Sequence, residues 1–513
     1  MVRLLFNNIY FGVLACLLII TLCPQSVMSQ KLFYSHTSGS DFSGTRFEII
    51  GKQGNGYWIY KNKHRNHYLC RYDHNMVLTN EKELDILPDK IIDLDIYTGN
   101  SGIMLICQFK KNQWVYCQFI RMDTSGLLTQ KPFIVDSTSI GNFSDSRIYS
   151  SVCSDDKKKL LVYKRHIQSG VLRFSSFLLN NEGLLLERYA AEEPFRKNES
   201  YLGDCVLANS GDWAYLQEQR KNDESDVYEI DIKIKKQTES EISVVSIPLN
   251  GNWMSQPKLK VDNRNNRWLT NAFYRLERKG RTTGLFTVVV DQDLLKMEQY
   301  NPFANMQENG LNQYALSNIT FDNLLPEQIL VKKNGGFLLI AEDNYSETYS
   351  NQNWNRDYYY NQPFNNYGDY FYNSRPYGIY RPFDGYGNNS STRYHSGDLL
   401  MLSLDSNLIL EWSNVISKKQ ADTDNENFLS FGLLNAGKDL HLFFLGNMNQ
   451  KDLVNHQAVS STGQVSRYPA WKSDAEELQF MPTFTKQTGV GEMIMPYIFQ
   501  NKLGFALVDF TTP

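Results

Sequence analysis

The chain has 513 residues, of which 42% are hydrophobic and 21% are charged, and its formal net charge is −4. This composition is typical of a soluble globular protein with a large core. It argues against a nucleic-acid or anionic-membrane partner, because binding to either needs a basic surface.

Residues 1–29 have the pattern of a cleaved secretory signal peptide. Arg3 supplies the positive charge, and Ile9 to Leu22 form an apolar run of about 14 residues before permissive residues that end at Ser29. This run is shorter than the ~20 residues that a membrane-spanning helix needs. We therefore predict a secreted, periplasmic or cell-surface protein with no integral membrane segment after cleavage.

Five cysteines follow this segment, without a Cys-x-x-Cys motif: Cys70, Cys107, Cys117, Cys153 and Cys205. Their odd number and irregular spacing predict neither a zinc site nor a dense disulfide framework. Cys107 and Cys117 flank a turn at residues 110–113, so a bridge between two paired strands is one interpretation. Buried free thiols that pack as small apolar side chains are the favoured one.

A unit of strand, tight turn and strand returns about every 45–55 residues along most of the chain. Residues 329–343 and 397–416 give its clearest copy. The sequences NGG at 334–336 and DSN at 405–407 interrupt the apolar runs, and Gly and Asn tolerate the positive φ that hairpin turns need. Small sheets that cannot bury their own faces, repeated at this length, are typical of a β-propeller.

Eight such units can be placed along the chain, with no amphipathic helix of convincing length between them. We predict an all-β chain in which residues 30–513 form one β-propeller with eight blades, with seven as the alternative. The last unit has only three obvious strands, so we expect a strand at residues 31–37 to complete it and close the ring. The predicted units cover residues 46–85, 90–135, 147–189, 202–247, 255–300, 327–416, 424–469 and 478–510.

Two stretches carry a resemblance to known repeats. NGGFLLIA at 334–341, followed by DLLMLSLDSNLILEW at 398–412, looks like the repeats of secreted bacterial β-propellers of the kelch-like class. CSDDKKKLLVY at 153–163 is similar to the S-x-D-G-K-x-L-x-Y hairpin of TolB-type propellers, with Lys157 where that pattern has Gly. The resemblance implies a toroid with a binding surface. It implies no particular reaction, because propellers serve as enzymes and as scaffolds alike.

A segment at residues 344–396 interrupts the sixth unit between its second and third strands. It holds twelve of the chain's 31 tyrosines, interleaved with Asn, Gly and Pro, and almost no aliphatic residues. One interpretation is a low-complexity segment without a specific ligand. The other is an aromatic surface that stacks on sugar rings or docks a protein. The candidate ligand-binding residues are Trp354, Tyr358, Tyr359, Tyr360, Tyr367, Tyr370, Tyr372, Tyr377 and Tyr380.

The motifs give no catalytic constellation: Gly-x-Ser-x-Gly, a phosphate-binding glycine loop and His-Glu-x-x-His are all missing from the sequence. His64 and His67 lie in a basic run at 61–67 that we interpret as a solvated turn, with both histidines on the surface. Residues 422–427 begin like a calcium loop but lack its Gly at position 6 and its Glu at position 12, which favours a solvated turn. We therefore predict no catalytic residue, no metal and no cofactor.

We interpret the protein as a binding or scaffolding module whose loops, chiefly 344–396, recognise a protein or glycan partner. Nucleic acid is not expected as a partner. A propeller enzyme that acts on polysaccharide through paired carboxylates is the alternative, and a purely structural component of a surface assembly is a third interpretation. Catalysis is less favoured, because no pattern in the sequence pairs two carboxylates. No pattern indicates the oligomeric state.

Overall fold

The computed structural model describes residues 31–37, 42, 45–63, 66–88, 90–99, 101–140, 147–196, 199–220, 226–278, 280, 282–291, 294–300, 323–350, 353–357, 391–423, 426–446, 449–472 and 478–511. Within these ranges the chain is all-β, as predicted, with a one-turn 3-10 helix at Pro482–Phe484. No helix there has the length and the apolar composition needed to cross a membrane.

The strands are short and follow one another closely along the chain. Up to residue 207 they are β1 (Lys31–Tyr34), β2 (Thr45–Gln53), β3 (Gly56–Lys63), β4 (Asn66–Tyr72), β5 (Leu78–Glu83), β6 (Asp93–Gly99), β7 (Gly102–Lys111), β8 (Trp114–Met122), β9 (Phe133–Ser139), β10 (Tyr149–Cys153), β11 (Lys159–Gln168), β12 (Val171–Asn180), β13 (Leu185–Pro194), β14 (Ser200–Leu202) and β15 (Val206–Leu207).

From residue 213 onward the strands include two of fourteen residues, β24 and β26. They are β16 (Trp213–Arg220), β17 (Asp226–Lys235), β18 (Ile242–Ile247), β19 (Trp253–Asp262), β20 (Arg267–Arg275), β21 (Gly284–Asp291), β22 (Leu294–Tyr300), β23 (Leu324–Val331), β24 (Phe337–Ser350), β25 (Asn353–Asp357), β26 (Ser391–Leu404), β27 (Leu410–Ile416), β28 (Gln420–Thr423), β29 (Gly432–Asn435), β30 (Asp439–Leu445), β31 (Leu453–Ser460), β32 (Val465–Lys472), β33 (Gln479–Phe480), β34 (Lys486–Gly489), β35 (Glu492–Phe499) and β36 (Lys502–Asp509).

The described strands form seven antiparallel sheets, most of them meanders of four consecutive strands. Four sheets have the orders β2-β3-β4-β5, β6-β7-β8-β9, β10-β11-β12-β13 and β29-β30-β31-β32. A nine-stranded sheet contains two runs, β14 to β18 and β19 to β22, which are joined where β17 pairs with β19. The sixth run is β23-β24-β26-β27, and the last sheet has the order β1-β36-β35-β33.

Apolar side chains fill the space between successive runs of strands. Within the described chain these clusters join β3 to β7 (Trp58 and Leu105), β8 to β11 (Phe119 and Leu160), β12 to β16 (Phe174 and Trp213), β17 to β21 (Ile230 and Val288), β20 to β24 (Phe273 and Leu339) and β24 to β30 (Ile340 and Phe444). A further cluster joins β30 and β36 to β3 (Phe443, Phe505 and Ile59). The series thus returns to its start, and the fold is a β-propeller.

The N-terminal strand closes the ring, as predicted. β1 pairs antiparallel with β36 over all four of its residues. The Tyr497 hydroxyl donates to the carbonyl of Ser35 at 2.6 Å, and the backbone N–H of Phe505 donates to the Ser35 hydroxyl at 2.9 Å. This pairing covers an edge of β36 that would otherwise expose unpaired backbone groups.

Each predicted unit corresponds to one run of strands, and most boundaries agree within a few residues. The largest difference is in the seventh unit, which was predicted from residue 424 and whose first strand, β29, begins at Gly432. The number of blades stays a prediction, because the fourth and fifth runs share the nine-stranded sheet.

Several turns place a larger residue where a hairpin usually has glycine. Lys157, which stands where the TolB-type pattern has Gly, has a φ of +60°, and Leu408 has a φ of +68°. In the turn that begins at Asp405, the Oδ1 of that residue accepts hydrogen bonds from the backbone N–H of Asn407 at 2.8 Å and of Ile409 at 2.9 Å. The residue with a positive φ in this turn is Leu408, one position after Asn407, which the sequence predicts for that role.

The interpretation that Cys107 and Cys117 form a bridge is wrong. Cys107 lies opposite Gln118 and Cys117 lies opposite Gln108 on strands β7 and β8. Because side chains alternate between the two faces of a sheet, the two thiols point to opposite faces. All five cysteines of the described chain are free, and burial raises the pKa of the Cys107 and Cys117 thiols.

The basic run at 61–67 is also not the solvated turn that was predicted. Lys61 is 3% exposed and donates to the Tyr72 hydroxyl at 2.6 Å. His67 is 4% exposed, and its Nδ1 lies 2.6 Å from the Tyr60 hydroxyl. The two side chains lie on opposite faces of the sheet, and both faces are covered, so each is buried beside a hydroxyl partner. His64 lies outside the described residues.

Candidate functional site: the stalk of the aromatic insertion

The aromatic insertion leaves the propeller through an extension of the sheet that contains the sixth run. The first part of β24 pairs with β23, and the last part of β26 pairs with β27, within the sixth run. Beyond residue 343 the two long strands continue to pair with each other, from Asn344 with Ser396 to Tyr349 with Ser391. β25 pairs with this outer part of β24, and β28 pairs with the outer part of β26. We call these four paired segments, 344–350, 353–357, 391–396 and 420–423, the stalk.

One face of the stalk carries an aromatic and ionic group near its base. The rings of Tyr345 and His395, which are opposite each other in the register, stack with centroids 4.3 Å apart and an interplanar angle of 7°. His395 Nε2 lies 3.1 Å from a carboxylate oxygen of Glu347. Stacked and hydrogen-bonded cross-strand pairs of this kind stabilise a sheet that has few aliphatic side chains to bury.

Below the stalk, a buried ion pair joins it to the propeller. The Glu342 and Lys418 side chains are 1% and 0% exposed, and Lys418 Nζ lies 2.5 Å from Glu342 Oε1. That oxygen also accepts from the Ser396 hydroxyl at 2.7 Å, and Oε2 accepts from the Asn344 amide at 2.9 Å and the Ser430 hydroxyl at 2.7 Å. The carboxylate thus accepts four hydrogen bonds, which is about its full capacity.

The same ion pair is tied to the neighbouring run of strands. Lys418 Nζ donates to the Ser396 hydroxyl at 2.6 Å and to the Gln420 amide oxygen at 3.1 Å. The Gln420 amide nitrogen in turn donates to the carbonyl of Leu445, the last residue of β30, at 2.8 Å. Burial lowers the pKa of the Lys418 ammonium, and the Glu342 carboxylate opposes this shift. The base of the stalk is therefore bonded to both the sixth and the seventh runs.

A second carboxylate lies beside this ion pair. Asn344 donates to Glu327 Oε1 at 3.3 Å as well as to Glu342, so one amide connects the two acids. Burial raises the pKa of Glu327, and the nearby Glu342 carboxylate raises it further, while the Lys258 ammonium opposes the shift. A carboxyl group with a raised pKa is what an acid catalyst needs. Its neighbour Glu342, by contrast, already accepts hydrogen bonds at both oxygens.

The predicted ligand-binding residues belong to the segment that the stalk carries. Trp354 lies on β25, opposite Tyr349 in the register. The other eight lie outside the described residues: Tyr358, Tyr359, Tyr360, Tyr367, Tyr370, Tyr372, Tyr377 and Tyr380. The stalk and its ionic anchor were not predicted from the sequence. The alternation of aromatic and small polar residues in NYSETYS at 344–350 was the available signal for a strand.

Metal-ligating side chains converge at a different place. Among the described residues, the one group that combines three such side chains within reach of a single ion is His74, Glu492 and Asp509. The run at 422–427, which begins like a calcium loop, instead has Asp422 on β28, where it accepts from Lys451 Nζ at 2.9 Å.

In sequence, the chain matches no protein-family model and no curated protein. Among solved structures it is similar to the β-propeller domain of Nup133 from Vanderwaltozyma polyspora, with 9% identity and a TM-score of 0.40 over 94% of this chain and 97% of that one. It is also similar to the polysaccharide lyase Uly1, with 9% identity and a TM-score of 0.39 over 94% of this chain and 99% of that one.

A third similarity is to prolyl oligopeptidase B from Galerina marginata in its apo form, with 7% identity and a TM-score of 0.41 over 89% of this chain. The chain spans about half of that structure, 56% of its length. The three similar structures thus include a nucleoporin propeller domain, a lyase and a peptidase.

Proposed function

We propose that the protein is a binding or scaffolding module, in which the propeller is a rigid support and the segment at 344–396 is the recognition element. The observation that carries this proposal is the stalk with its ionic anchor. Burying charged groups is costly, so a connection without a role would need neither the Glu342–Lys418 pair nor the paired strands above it. A recognition segment gains from both, because a rigid base reduces the entropy that is lost on binding.

The proposed partner is a protein or a glycan. Tyrosine, the commonest residue of the segment, and the single Trp354 offer a large contact area, lose little rotamer entropy and keep a polar tip for hydrogen bonding. The same proposal includes a kelch-like or TolB-like repeat type, a signal peptide at 1–29 and a secreted, periplasmic or cell-surface location. Sequence patterns alone support these three points.

Replacing residues 358–390 by a short Gly/Ser linker tests the proposal, because it removes most of the aromatic segment and keeps all four strands of the stalk. Binding is measured on a glycan array and by a cross-linking pull-down. We expect the partners that the wild-type protein captures to be lost, with an unchanged unfolding midpoint. Equal capture by the two proteins would contradict the proposed role of the segment.

A second pair of variants separates aromatic recognition from segment length. One changes the eight tyrosines between 358 and 380 to Ser, and the matched control changes Asn361, Asn365, Asn366 and Asn373 to Ser. We expect the tyrosine variant to lose about tenfold or more in affinity, since aromatic anchors supply most of the binding energy in such interfaces. The asparagine variant is expected to bind like the wild type.

A further inference from the structure

Two acidic side chains face each other where the ring closes. Glu492 begins β35 and Asp509 ends β36, and the register places them directly opposite each other. Their side chains are 7% and 0% exposed. Side chains that are directly opposite on antiparallel strands have Cβ atoms about 5 Å apart, and like charges there are destabilising. A nearby cation therefore stabilises the pair.

Each carboxylate is held in a fixed orientation. Asp509 Oδ1 accepts from the backbone N–H and the hydroxyl of Thr511, both at 2.6 Å, which leaves Oδ2 directed toward His74. Glu492 passes close to Gly489, where an added Cβ would lie 2.8 Å from Glu492 Oε2. Glycine at position 489 thus leaves the space that the Glu492 carboxylate occupies.

His74 completes the group from the other end of the chain. It belongs to the turn between β4 and β5, and its Nε2 lies 3.3 Å from Asp509 Oδ2. The ring packs against Phe33 of β1 at a centroid distance of 4.9 Å, and its Nδ1 lies 3.4 Å from the Tyr57 hydroxyl. A hydrogen bond at the second ring nitrogen is the usual outer support of a metal-binding histidine, because it fixes the tautomer and the orientation.

We propose that His74, Glu492 and Asp509 bind a divalent transition-metal ion such as Zn²⁺ or Mn²⁺. One ligand atom from each residue lies within 4.8 Å of the others, so a single ion with bonds of about 2.0–2.2 Å fits between them after small side-chain movements. One imidazole nitrogen with two carboxylate oxygens suits these ions, whereas Ca²⁺ and Mg²⁺ prefer oxygen ligands alone.

The ion competes with a lysine that is already present. Lys52 Nζ lies 2.9 and 2.8 Å from the two oxygens of Glu492, and its side chain is 34% exposed. The ammonium can therefore move into solvent when the metal binds. This competition distinguishes a metal site from a plain ion pair. Removing Lys52 should raise the metal affinity if the three residues form a metal site, whereas in a plain ion pair it only removes the partner of Glu492.

The ion would connect both ends of the chain. His74 belongs to the first run of strands, whereas Glu492 and Asp509 belong to the last. An ion that binds the folded protein and not the unfolded chain raises the free energy of unfolding. At concentrations above the dissociation constant, this increase grows with the logarithm of the free metal concentration. The site proposed here is independent of the aromatic insertion, so it stands or falls separately from the proposed recognition role.

The test measures binding of Zn²⁺ and, separately, Mn²⁺ to the purified protein after chelator treatment, by isothermal titration calorimetry and by the shift in unfolding temperature. The variants are His74→Gln, whose side chain is 41% exposed in the wild type, and Lys52→Met. The matched control is His166→Gln, at an exposed position on β11. Circular dichroism of each variant confirms the fold.

We expect one ion per chain, affinity about tenfold or more weaker in His74→Gln, and unchanged affinity in His166→Gln. Lys52→Met is expected to bind about tenfold more tightly, since it removes a competing positive charge from Glu492. The proposal is overturned if the wild type binds neither ion, if His74→Gln binds as tightly as the wild type, or if Lys52→Met binds more weakly.

Discussion

The region that closes the ring and the region that carries the stalk are both buried, but they are stabilised in opposite ways. The closure is an apolar cluster from three runs of strands, in which Phe505 packs edge-on against Phe47 at a centroid distance of 5.4 Å. The base of the stalk is an ion pair surrounded by hydroxyls and amides. Apolar packing tolerates small changes of shape, whereas a buried ion pair depends on every partner.

The difference indicates a division of roles. The closure holds residues from the two ends of the chain and needs only to be stable. The stalk has to leave the propeller in one direction, and the directional hydrogen bonds of Glu342 fix that direction better than apolar contacts do. Changes in the closure should therefore affect the stability of the whole ring, while changes at the stalk base should affect stability and recognition together.

The largest expected effect follows from Phe505→Ala in the closure. The phenyl side chain of Phe505 is fully buried, and its loss leaves a cavity. We therefore expect the free energy of unfolding to fall by about 3–5 kcal/mol. Urea denaturation followed by tryptophan fluorescence measures it. Val490→Ala, at a side chain that is 77% exposed, is the control and should change stability by less than about 0.5 kcal/mol. A Phe505→Ala protein as stable as this control would show that the closure does not support the ring.

A smaller loss is expected from Lys418→Met at the stalk base. The change leaves the buried Glu342 carboxylate without its counter-charge and should cost about 3 kcal/mol. The double variant Lys418→Met/Glu342→Gln should recover part of this loss, because neither member of the pair then carries a charge. We also expect Lys418→Met to weaken partner capture, which Phe505→Ala should leave intact at temperatures where it is folded.

The control for this charge change is Arg173→Met, which breaks an ion pair with Glu192 whose side chains are 49% and 63% exposed. Exposed pairs contribute less than about 1 kcal/mol, so this variant should resemble the wild type. If Lys418→Met and Arg173→Met had equal effects, the ion pair at the stalk base would not be an anchor.

A graded effect, a dependence of stability on pH, is expected beside the closure. His441 and His456 are buried with 2.8 Å between Nδ1 and Nε2, and His456 contacts Phe510 with a centroid distance of 5.5 Å. Burial, together with the neighbouring His441, lowers the pKa of His456 to about 3. The unfolded imidazole takes up a proton below about pH 6.5. This contribution to stability is therefore complete above pH 6.5 and is lost as the pH falls toward 3, at up to about 1.4 kcal/mol per pH unit.

Urea denaturation between pH 7 and pH 4 measures this dependence in the wild type and in His456→Gln. The glutamine keeps a hydrogen-bonding group beside His441 but does not titrate, so the stability of the variant should fall less steeply on acidification. Parallel curves for the two proteins would exclude His456 as the source. Among the described residues of the stalk, the one histidine is His395, which is paired with Glu347.

Local patterns in the sequence predicted the fold well, because a propeller blade is built from neighbouring segments. The hairpin at 334–336 and the closing strand at 31–37 both have their signals within a few residues. Lys157 shows the limit of such signals. Lysine itself does not indicate a positive φ, and only the comparison with the TolB-type pattern, which has Gly at this position, does so. The burial of Lys61 and His67 was not predicted, because a run of basic residues does not reveal that the sheet is covered on both faces.

The sites were harder to predict, since their residues are distant in sequence. Glu342 and Lys418 lie on either side of the whole insertion, and no spacing rule connects them. His74 and Asp509 meet only because the ring closes. The stalk itself lacks the aliphatic alternation that marks a half-buried strand, and stacked pairs such as Tyr345 with His395 take its place.

The closing strand also has a consequence for biosynthesis. β1 is synthesised before the other described strands, yet its partner β36 follows all of them, so that Ser35 and Phe505 are 470 positions apart. β1 must wait unpaired until β36 has been synthesised, which makes this contact a late and slow step in folding. A chain truncated before residue 502 has no mate for that strand, and we expect cells to degrade it or lose it to aggregation.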